Sequence, residues 1–381
     1  MRILFTGGGS GGHFYPIISI VEELSVLAKE KKLLPPELFF MSPDPYDKGL
    51  LFEHGIEYRK NTAGRLRRNP GPLSLIKNFF DIFRMGWGVL TAVWQVYRLY
   101  PDVVFGKGAY GSFPALLAAK LLHIPVVIHE SDTVPGRVNK WAGKFAERIA
   151  LSYKEAAKYF AENKIAYTGQ PIRKDIAIPI ASGAREFLKL EEKTPVILVL
   201  CGSQGSELIN DVILGGLKQL VEKYQIIHQT GKTHIEEAKA TASAILYNSP
   251  FKERYKPFDY LGPLAQRMAA GVASVVVSRA GSTVFEIAAW AIPALIVPIT
   301  KSNGDHQRQN AFAYARAGAC EVIEEANFSS NILLSEVDRI LSSPEEQQRM
   351  RQAAKAFYKP NAARLVAEEI LKIALSHEIE K

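Results

Sequence analysis

His13 closes the run Gly7-Gly8-Gly9-Ser10-Gly11-Gly12, and an imidazole at the mouth of a glycine-rich turn is placed to move a proton near neutral pH. The apolar run 3–5 leads into the turn, and Ile17, Ile18, Ile20, Val21 and Leu24 follow it at helical spacing, so the turn joins a buried strand to a helix. Backbone N–H groups at such a junction, with the helix dipole behind them, hold an anion. The glycines let a large group approach the chain closely. A Rossmann-type dinucleotide loop has the same shape and needs no histidine. The turn alone leaves a nucleotide site and a catalytic acceptor site both open.

Four further clusters carry chemistry. Gly106-Lys107-Gly108-Ala109-Tyr110-Gly111-Ser112 is a second glycine-rich turn before a helix, either an anion nest or an ordinary strand–helix connection. His129-Glu130-Ser131-Asp132 ends a predicted strand, where polar groups meet substrate, although Glu130 there can equally brace a neighbouring loop. Ser278-Arg279-Ala280-Gly281-Ser282-Thr283, with Glu286 in the helix that follows, unites a phosphate-type turn with a carboxylate able to accept both hydroxyls of a ribose. The bland reading of Glu286 is a helix-dipole partner. Asp305-His306-Gln307-Arg308-Gln309-Asn310 offers many donors and acceptors in one turn, suited to sugar hydroxyls and an acetamido group. The chain has no Asp-x-Asp pair and no His/Cys metal-ligand spacing, so no metal or cofactor is expected, Mg²⁺ assistance apart. Charge on a leaving group would then fall to helix N-termini and Arg or Lys.

Strands and helices that alternate throughout must position these clusters, the pattern of an α/β protein with parallel sheets. Predicted strands are 3–6, 38–41, 103–105, 126–129 and 149–151, then 196–200, 226–228, 275–278 and 294–297. Each half starts with a strand, a glycine-rich turn and a helix. The 381 residues fit two domains, expected at 1–170 and 171–360 as doubly wound Rossmann-like sheets facing a cleft. The last helix, about 361–381, is an element that can cross back to the first domain. Cys201 and Cys320, far apart, read as core thiols of a reducing compartment. The apolar start is too short for a signal peptide and no stretch is long enough to span a bilayer, so the expected setting is cytoplasmic.

The formal net charge of +8 is concentrated. Arg59, Lys60, Arg65, Arg67, Arg68, Lys77, Arg84 and Arg98 face only Asp81 across residues 59–98, a local balance of +7. Leu73, Ile76, Phe80, Phe83, Trp87, Leu90, Trp94 and Tyr97 form one helical stripe, expected to face the core. A second set, Leu75, Phe79, Ile82 and Val89, lies off it, and Gly86 and Gly88 are expected to break or kink the segment. A helix with one apolar face in the core and another flanked by Arg and Lys suits an anionic membrane surface; burial on both sides is the alternative. Nothing accompanying the charge matches a nucleic-acid reader.

Together these motifs resemble the bacterial UDP-N-acetylglucosamine transferases that make lipid II, the MurG family of the GT-B glycosyltransferase fold. The likeness runs in order through residues 7–13, 101–114, 129–141, 169–173, 202–205, 278–286 and 305–311. It implies an inverting transfer of N-acetylglucosamine from UDP-N-acetylglucosamine to the 4-hydroxyl of the muramoyl sugar of undecaprenyl-diphospho-N-acetylmuramoyl-pentapeptide, lipid I. His13 is the implied base. The implied donor residues are Ser10, Gly11, Gly12, Asp132, Arg173, Ser203, Tyr260 and Leu261 (at uracil), Ser282, Thr283, Glu286 (at ribose), and Gln307 and Asn310 (at the sugar). Gly8, Gly9, Tyr110 and Asn139 would meet the acceptor and its diphosphate. Leu75, Phe79, Ile82, Arg67, Arg68 and Lys77 would touch the anionic inner leaflet from the cytoplasmic side, and cell-wall synthesis enzymes are implied partners. Ser131-Asp132 stands where the family often has Gln-Asn, and a carboxylate beside two diphosphates is awkward unless it accepts a hydrogen bond from sugar or histidine. A diacylglycerol-glycosylating synthase, a nucleotide-sugar epimerase and a non-catalytic adaptor are the alternatives on the same scaffold.

Overall fold

The computed structural model describes residues 1–64, 72–202, 204–300 and 302–379, with side chains for all of these but 72–79, 303 and 377–379. The chain divides into two compact units, Met1–Arg173 with Pro360–Lys381, and Lys174–Lys359. The first unit is built on β1 (Arg2–Thr6), β2 (Glu37–Ser42), β3 (Ile56–Lys60), β4 (Val103–Gly106), β5 (Val126–Glu130), β6 (Arg148–Leu151) and β7 (Ile165–Tyr167). They form one parallel sheet in the order β3-β2-β1-β4-β5-β6-β7. The second is built on β8 (Val196–Leu200), β9 (Gln225–Gln229), β10 (Tyr255–Phe258), β11 (Val275–Ser278), β12 (Ala294–Ile296) and β13 (Cys320–Val322). Its order is β10-β9-β8-β11-β12-β13, again all parallel. Both sheets are doubly wound, as the alternating pattern requires.

The central strands are apolar on both faces because helices cover both. Ile3, Leu4, Phe5, Val103, Val104 and Phe105 are fully buried, as are Ile197, Leu198 and Val199 in the second unit. On one face of the first sheet Phe5 and Phe105 meet Ile17 and Leu24 of the Gly11–Glu30 helix and Val366 and Ile370 of the Ala362–Ile379 helix. On the other face Leu4 and Val104 meet Leu116 of the Phe113–Leu121 helix and Ala92 and Val96 of the Pro72–Leu99 helix. Four strands escaped the sequence reading, namely β3, β7, β10 and β13, and they are the four sheet edges. An edge strand is half covered, so segments such as Ile56–Lys60 lack a continuous apolar run.

The Pro72–Leu99 helix corrects two expectations. It runs unbroken through Gly86 and Gly88. The described part of the stripe assigned to the core is instead exposed: Phe80, Phe83, Trp87, Leu90, Trp94 and Tyr97 each leave 60–66% of their surface open, while the side chains of Leu73 and Ile76 lie outside the described residues. The buried face carries Asp81 and, beyond it, small residues, with Ala92 and Val96 fully covered and Gly88 so close to the preceding chain that a Cβ there would sit 1.9 Å from the Thr62 carbonyl oxygen. Size, not hydrophobicity, decided which face packs. Of the residues implied at a membrane, Ile82 is 58% exposed, whereas Arg67 and Arg68 and the side chains of Leu75, Phe79 and Lys77 lie outside the described residues.

The two helix glycines should therefore respond oppositely to alanine. Gly88→Ala forces backbone apart, an overpacking cost of about 1–3 kcal/mol that exceeds the roughly 1 kcal/mol gained in helix propensity. At Gly86 a Cβ meets nothing within 4 Å, so Gly86→Ala keeps the propensity gain. Calorimetry should show Tm falling for the first and rising for the second; the same sign for both would contradict the close approach.

Candidate active site

In each sheet the strand order reverses at one point, between β1 and β4 in the first unit and between β8 and β11 in the second. Chains leaving the carboxyl ends of such strand pairs diverge to opposite faces and open a crevice that binds ligands. The glycine-rich turns read from the sequence leave these four strands. The turn after β1 and the turn after β4 share one crevice, and residues 204–206 and 279–282 share the other.

In the first unit, Gly9 takes φ +69°, a conformation glycine adopts without strain, and delivers the chain to the Gly11–Glu30 helix. Ser10 is extended and its side chain makes no cap bond. The Tyr46 hydroxyl lies against Gly11, with its pKa pushed up to about 12 by burial and by Tyr15. His13 is half-buried. Its Nδ1–H donates to the Lys107 carbonyl oxygen at 3.0 Å; a carbonyl only accepts, so the proton is on Nδ1 and Nε2 keeps its lone pair. Burial and the nearby Lys107 charge hold the imidazole below its usual pKa, with Asp132 acting the other way. Burial and Lys107 both favour the neutral ring, whose Nε2 lone pair can accept a proton.

The end of β5 is braced by its own side chains. Glu130 accepts the N–H groups of Asp132 at 3.0 Å and Gly136 at 3.1 Å and the Asn139 amide at 2.9 Å, which is the bracing role rather than substrate contact. Asn139 is likewise buried, and its Nδ2 also donates to the His129 carbonyl at 3.0 Å. Asn139 thus braces this loop through its Nδ2. Tyr110 is half-buried beside Gly9, 3.9 Å from where a Cβ of Gly9 would stand, and a Cβ of Gly8 would lie 3.3 Å from Gly111. Arg173, grouped from the sequence with the second domain, belongs to the first unit and stacks 4.3 Å from the Tyr15 ring centroid.

In the second unit, Glu286 accepts the Gln266 amide at 2.9 Å near the start of the Thr283–Trp290 helix. Ser282 and Thr283 open that helix half-buried. Asn310 is buried and donates to the Ala280 carbonyl at 3.2 Å, tying the 306–310 turn to the turn after β11. Gln307 accepts the Ile299 N–H at 3.2 Å. The half-buried Tyr260 precedes Leu261, whose N–H, the implied donor to a base, is occupied by Gln229 Oε1 at 3.0 Å. Ser203 lies outside the described residues.

Three residues were missed. Arg279 joins the two turns of the second crevice: Nη2 donates to Ser206 Oγ at 2.7 Å, Nη1 to the Val297 carbonyl at 3.0 Å, and Glu325 pairs with it at 2.7 Å. Gln266 orients Glu286. Lys107 is fully buried; the one signal it gave was a lysine inside a glycine turn at the end of an apolar strand. Among the described residues no group of three or more His, Cys, Asp or Glu could hold a metal ion.

Residues 3–151 match the glycosyltransferase family 28 N-terminal domain and residues 196–366 the glycosyltransferase family 28 C-terminal domain. A protein of Bacillus thuringiensis (strain Al Hakam) named UDP-N-acetylglucosamine--N-acetylmuramyl-(pentapeptide) pyrophosphoryl-undecaprenol N-acetylglucosamine transferase 3 is 35% identical over 343 residues, 89% of this chain and 91% of its own length. A Clostridium novyi (strain NT) protein with the same name, unnumbered, is 32% identical over 91% of this chain and 92% of its own. The solved structure of Acinetobacter baumannii MurG superposes with a TM-score of 0.71 at 24% identity, covering 97% of this chain and 99% of that one. A UDP-GlcNAc 2-epimerase from Neisseria meningitidis bound to UDP-GlcNAc superposes at 0.65 with 14% identity, covering 98% and 100%. At those identities the two structures share the fold.

Proposed function

Because the chain belongs to glycosyltransferase family 28, we propose that it transfers N-acetylglucosamine from UDP-N-acetylglucosamine to the 4-hydroxyl of the muramoyl sugar of undecaprenyl-diphospho-N-acetylmuramoyl-pentapeptide, producing lipid II and UDP. The observation that carries this reading is the match, over about nine-tenths of both chains, to relatives named for that reaction. The epimerase reading rests on fold likeness alone, at 14% identity.

The chemistry follows from the first crevice. His13 Nε2 accepts the proton of the 4-hydroxyl as that oxygen bonds to the anomeric carbon. The bond from that carbon to the UDP phosphate oxygen breaks, UDP leaves with the electron pair, and attack from the opposite face gives a β-1,4 link. Backbone amides of the turn after β1 steady the lipid diphosphate. In the second crevice Glu286 takes the ribose hydroxyls, and the N-terminus of the Thr283–Trp290 helix faces the nucleotide diphosphate. Helix N-termini and Arg or Lys offset the charge on UDP in this reading, with Mg²⁺ assistance left open.

No described helix is long and apolar enough to cross a membrane. The exposed aromatic face of the Pro72–Leu99 helix is the element suited to lie on the inner leaflet. Arg84, with 73% of its side chain exposed, and Arg98, 5.8 Å from the Trp94 ring, add attraction to anionic lipid. Other cell-wall synthesis enzymes are the partners this placement would bring near.

Incubation with UDP-N-acetylglucosamine and a lipid I analogue should release UDP, with no comparable release from diacylglycerol. Equal turnover of the two acceptors would favour a glycolipid synthase, and no turnover of either would reject the transferase reading.

A further inference from the structure

Lys107 follows β4 directly and touches the base through its own backbone. Its N–H donates to the Thr6 carbonyl at 2.8 Å, which seats it directly beside the turn after β1. Its own carbonyl accepts His13 Nδ1–H at 3.0 Å. The side chain then runs inward, not toward solvent, and is 1% exposed. The ammonium donates to His129 Nδ1 at 2.6 Å and to Ser131 Oγ. His129 can accept there because its Nε2–H donates to the Gly169 carbonyl at 3.0 Å, and the Ser131 hydroxyl donates to Gln170 Oε1 at 2.9 Å.

A buried ammonium is costly unless charge opposes it. The partners at hydrogen-bond distance are a neutral imidazole and a hydroxyl. The opposing charges are the carboxylates of Glu130 and Asp132. Asp132 acts on His13 as well, so the same imidazole lies in the field of one cation and one anion.

Resting on the reading of His13 as the base, we propose that Lys107 is a positioning residue for it. The carbonyl holds the imidazole tautomer, and the ammonium, tied to His129 and Ser131, joins the end of β5 to the turn after β4 as a cation set against the charge of Asp132. Burial draws the Lys107 pKa down and pushes that of Glu130 up, while each group's charge favours the charged form of the other. Around His13 the charged or titratable groups that bear on this balance are Lys107 from β4 and Asp132 from the chain after β5, with His129 and Glu130 behind them.

The test is kcat against pH, over roughly pH 5.5–9, for the full chain with UDP-N-acetylglucosamine and a lipid I analogue. Lys107→Met should lower kcat at neutral pH by roughly 10²-fold through misplacement of the base, with the KM for UDP-N-acetylglucosamine within about twofold of the parent. Its acidic limb should move up by roughly one pH unit, because Asp132 then acts on the imidazole unopposed. Asp132→Asn alone should move the limb down, and Lys107→Met with Asp132→Asn should return it toward the parent position. An unchanged kcat and limb in Lys107→Met, or a double variant no nearer the parent than the single, overturns the proposal. Should Lys107→Met lose its melting transition, Asp132→Asn decides: a limb that stays or rises also overturns it. A fully active His13→Ala sinks the reading of the base and this proposal together. An inert His13→Ala beside an unaltered Lys107→Met sinks this proposal alone.

Discussion

His13→Ala is expected to lower kcat by about 10²–10⁴-fold, the usual contribution of a positioned general base, while affinity for UDP-N-acetylglucosamine is kept. Among the described residues the ring's hydrogen bond is through Nδ1 to a carbonyl, so deletion frees one carbonyl at a half-buried position. Fold and donor binding should survive. The loss should appear equally in kcat and kcat/KM, the pattern of an interaction made only in the transition state. The acidic limb of the parent profile should lie below the ordinary imidazole range, because burial and Lys107 depress the pKa of His13; activity is present above that depressed value and fades as pH falls through it. A variant with an unchanged rate would remove His13 from the role of base.

The second large effect concerns the exposed helix face. Trp87→Ser with Trp94→Ser should reduce partition onto vesicles containing anionic lipid by about two orders of magnitude. Each indole is 60% exposed or more, and its transfer from water is worth about 1.5 kcal/mol at the low end of the range for large apolar side chains. Two such losses total about 3 kcal/mol, and each 1.4 kcal/mol is a factor of ten. Because both side chains project away from the core, Tm and the rate with a detergent-dispersed acceptor should hardly change. A drop in Tm of many degrees would mean that this face packs against protein, and undiminished vesicle binding would assign the membrane contact elsewhere. Raising salt should weaken the parent's vesicle binding in part only, since Arg84 and Arg98 supply a screened attraction beside an unscreened apolar one.

Legibility in the chain tracked how local each cause is. The strands at the centre of each sheet announce themselves because both faces are buried, and Val196–Leu200 needs no neighbour to be recognised as such. The edge strands Ile165–Tyr167 and Cys320–Val322 do not, since their pairing is decided by the strand beside them. The Pro72–Leu99 helix shows the same limit from the other side. Its periodicity was visible, yet the more apolar stripe proved to be the exposed one, because Gly88 and Ala92 permit an approach that Trp87 and Trp94 do not.

By itself the amino-acid order determined a doubly wound α/β chain that starts twice with strand, glycine turn and helix, and it placed His13 at the first such turn. Those are consequences of spacing over a few residues, where hydrophobic periodicity and backbone freedom act directly. Only the tertiary structure decided what the imidazole faces. Lys107, 94 residues away, supplies the carbonyl that sets its tautomer, and His129, 22 residues beyond Lys107, receives the ammonium. Hydrogen bonds and fields depend on distance in space, which the sheet order brings about by laying β4 against both β1 and β5.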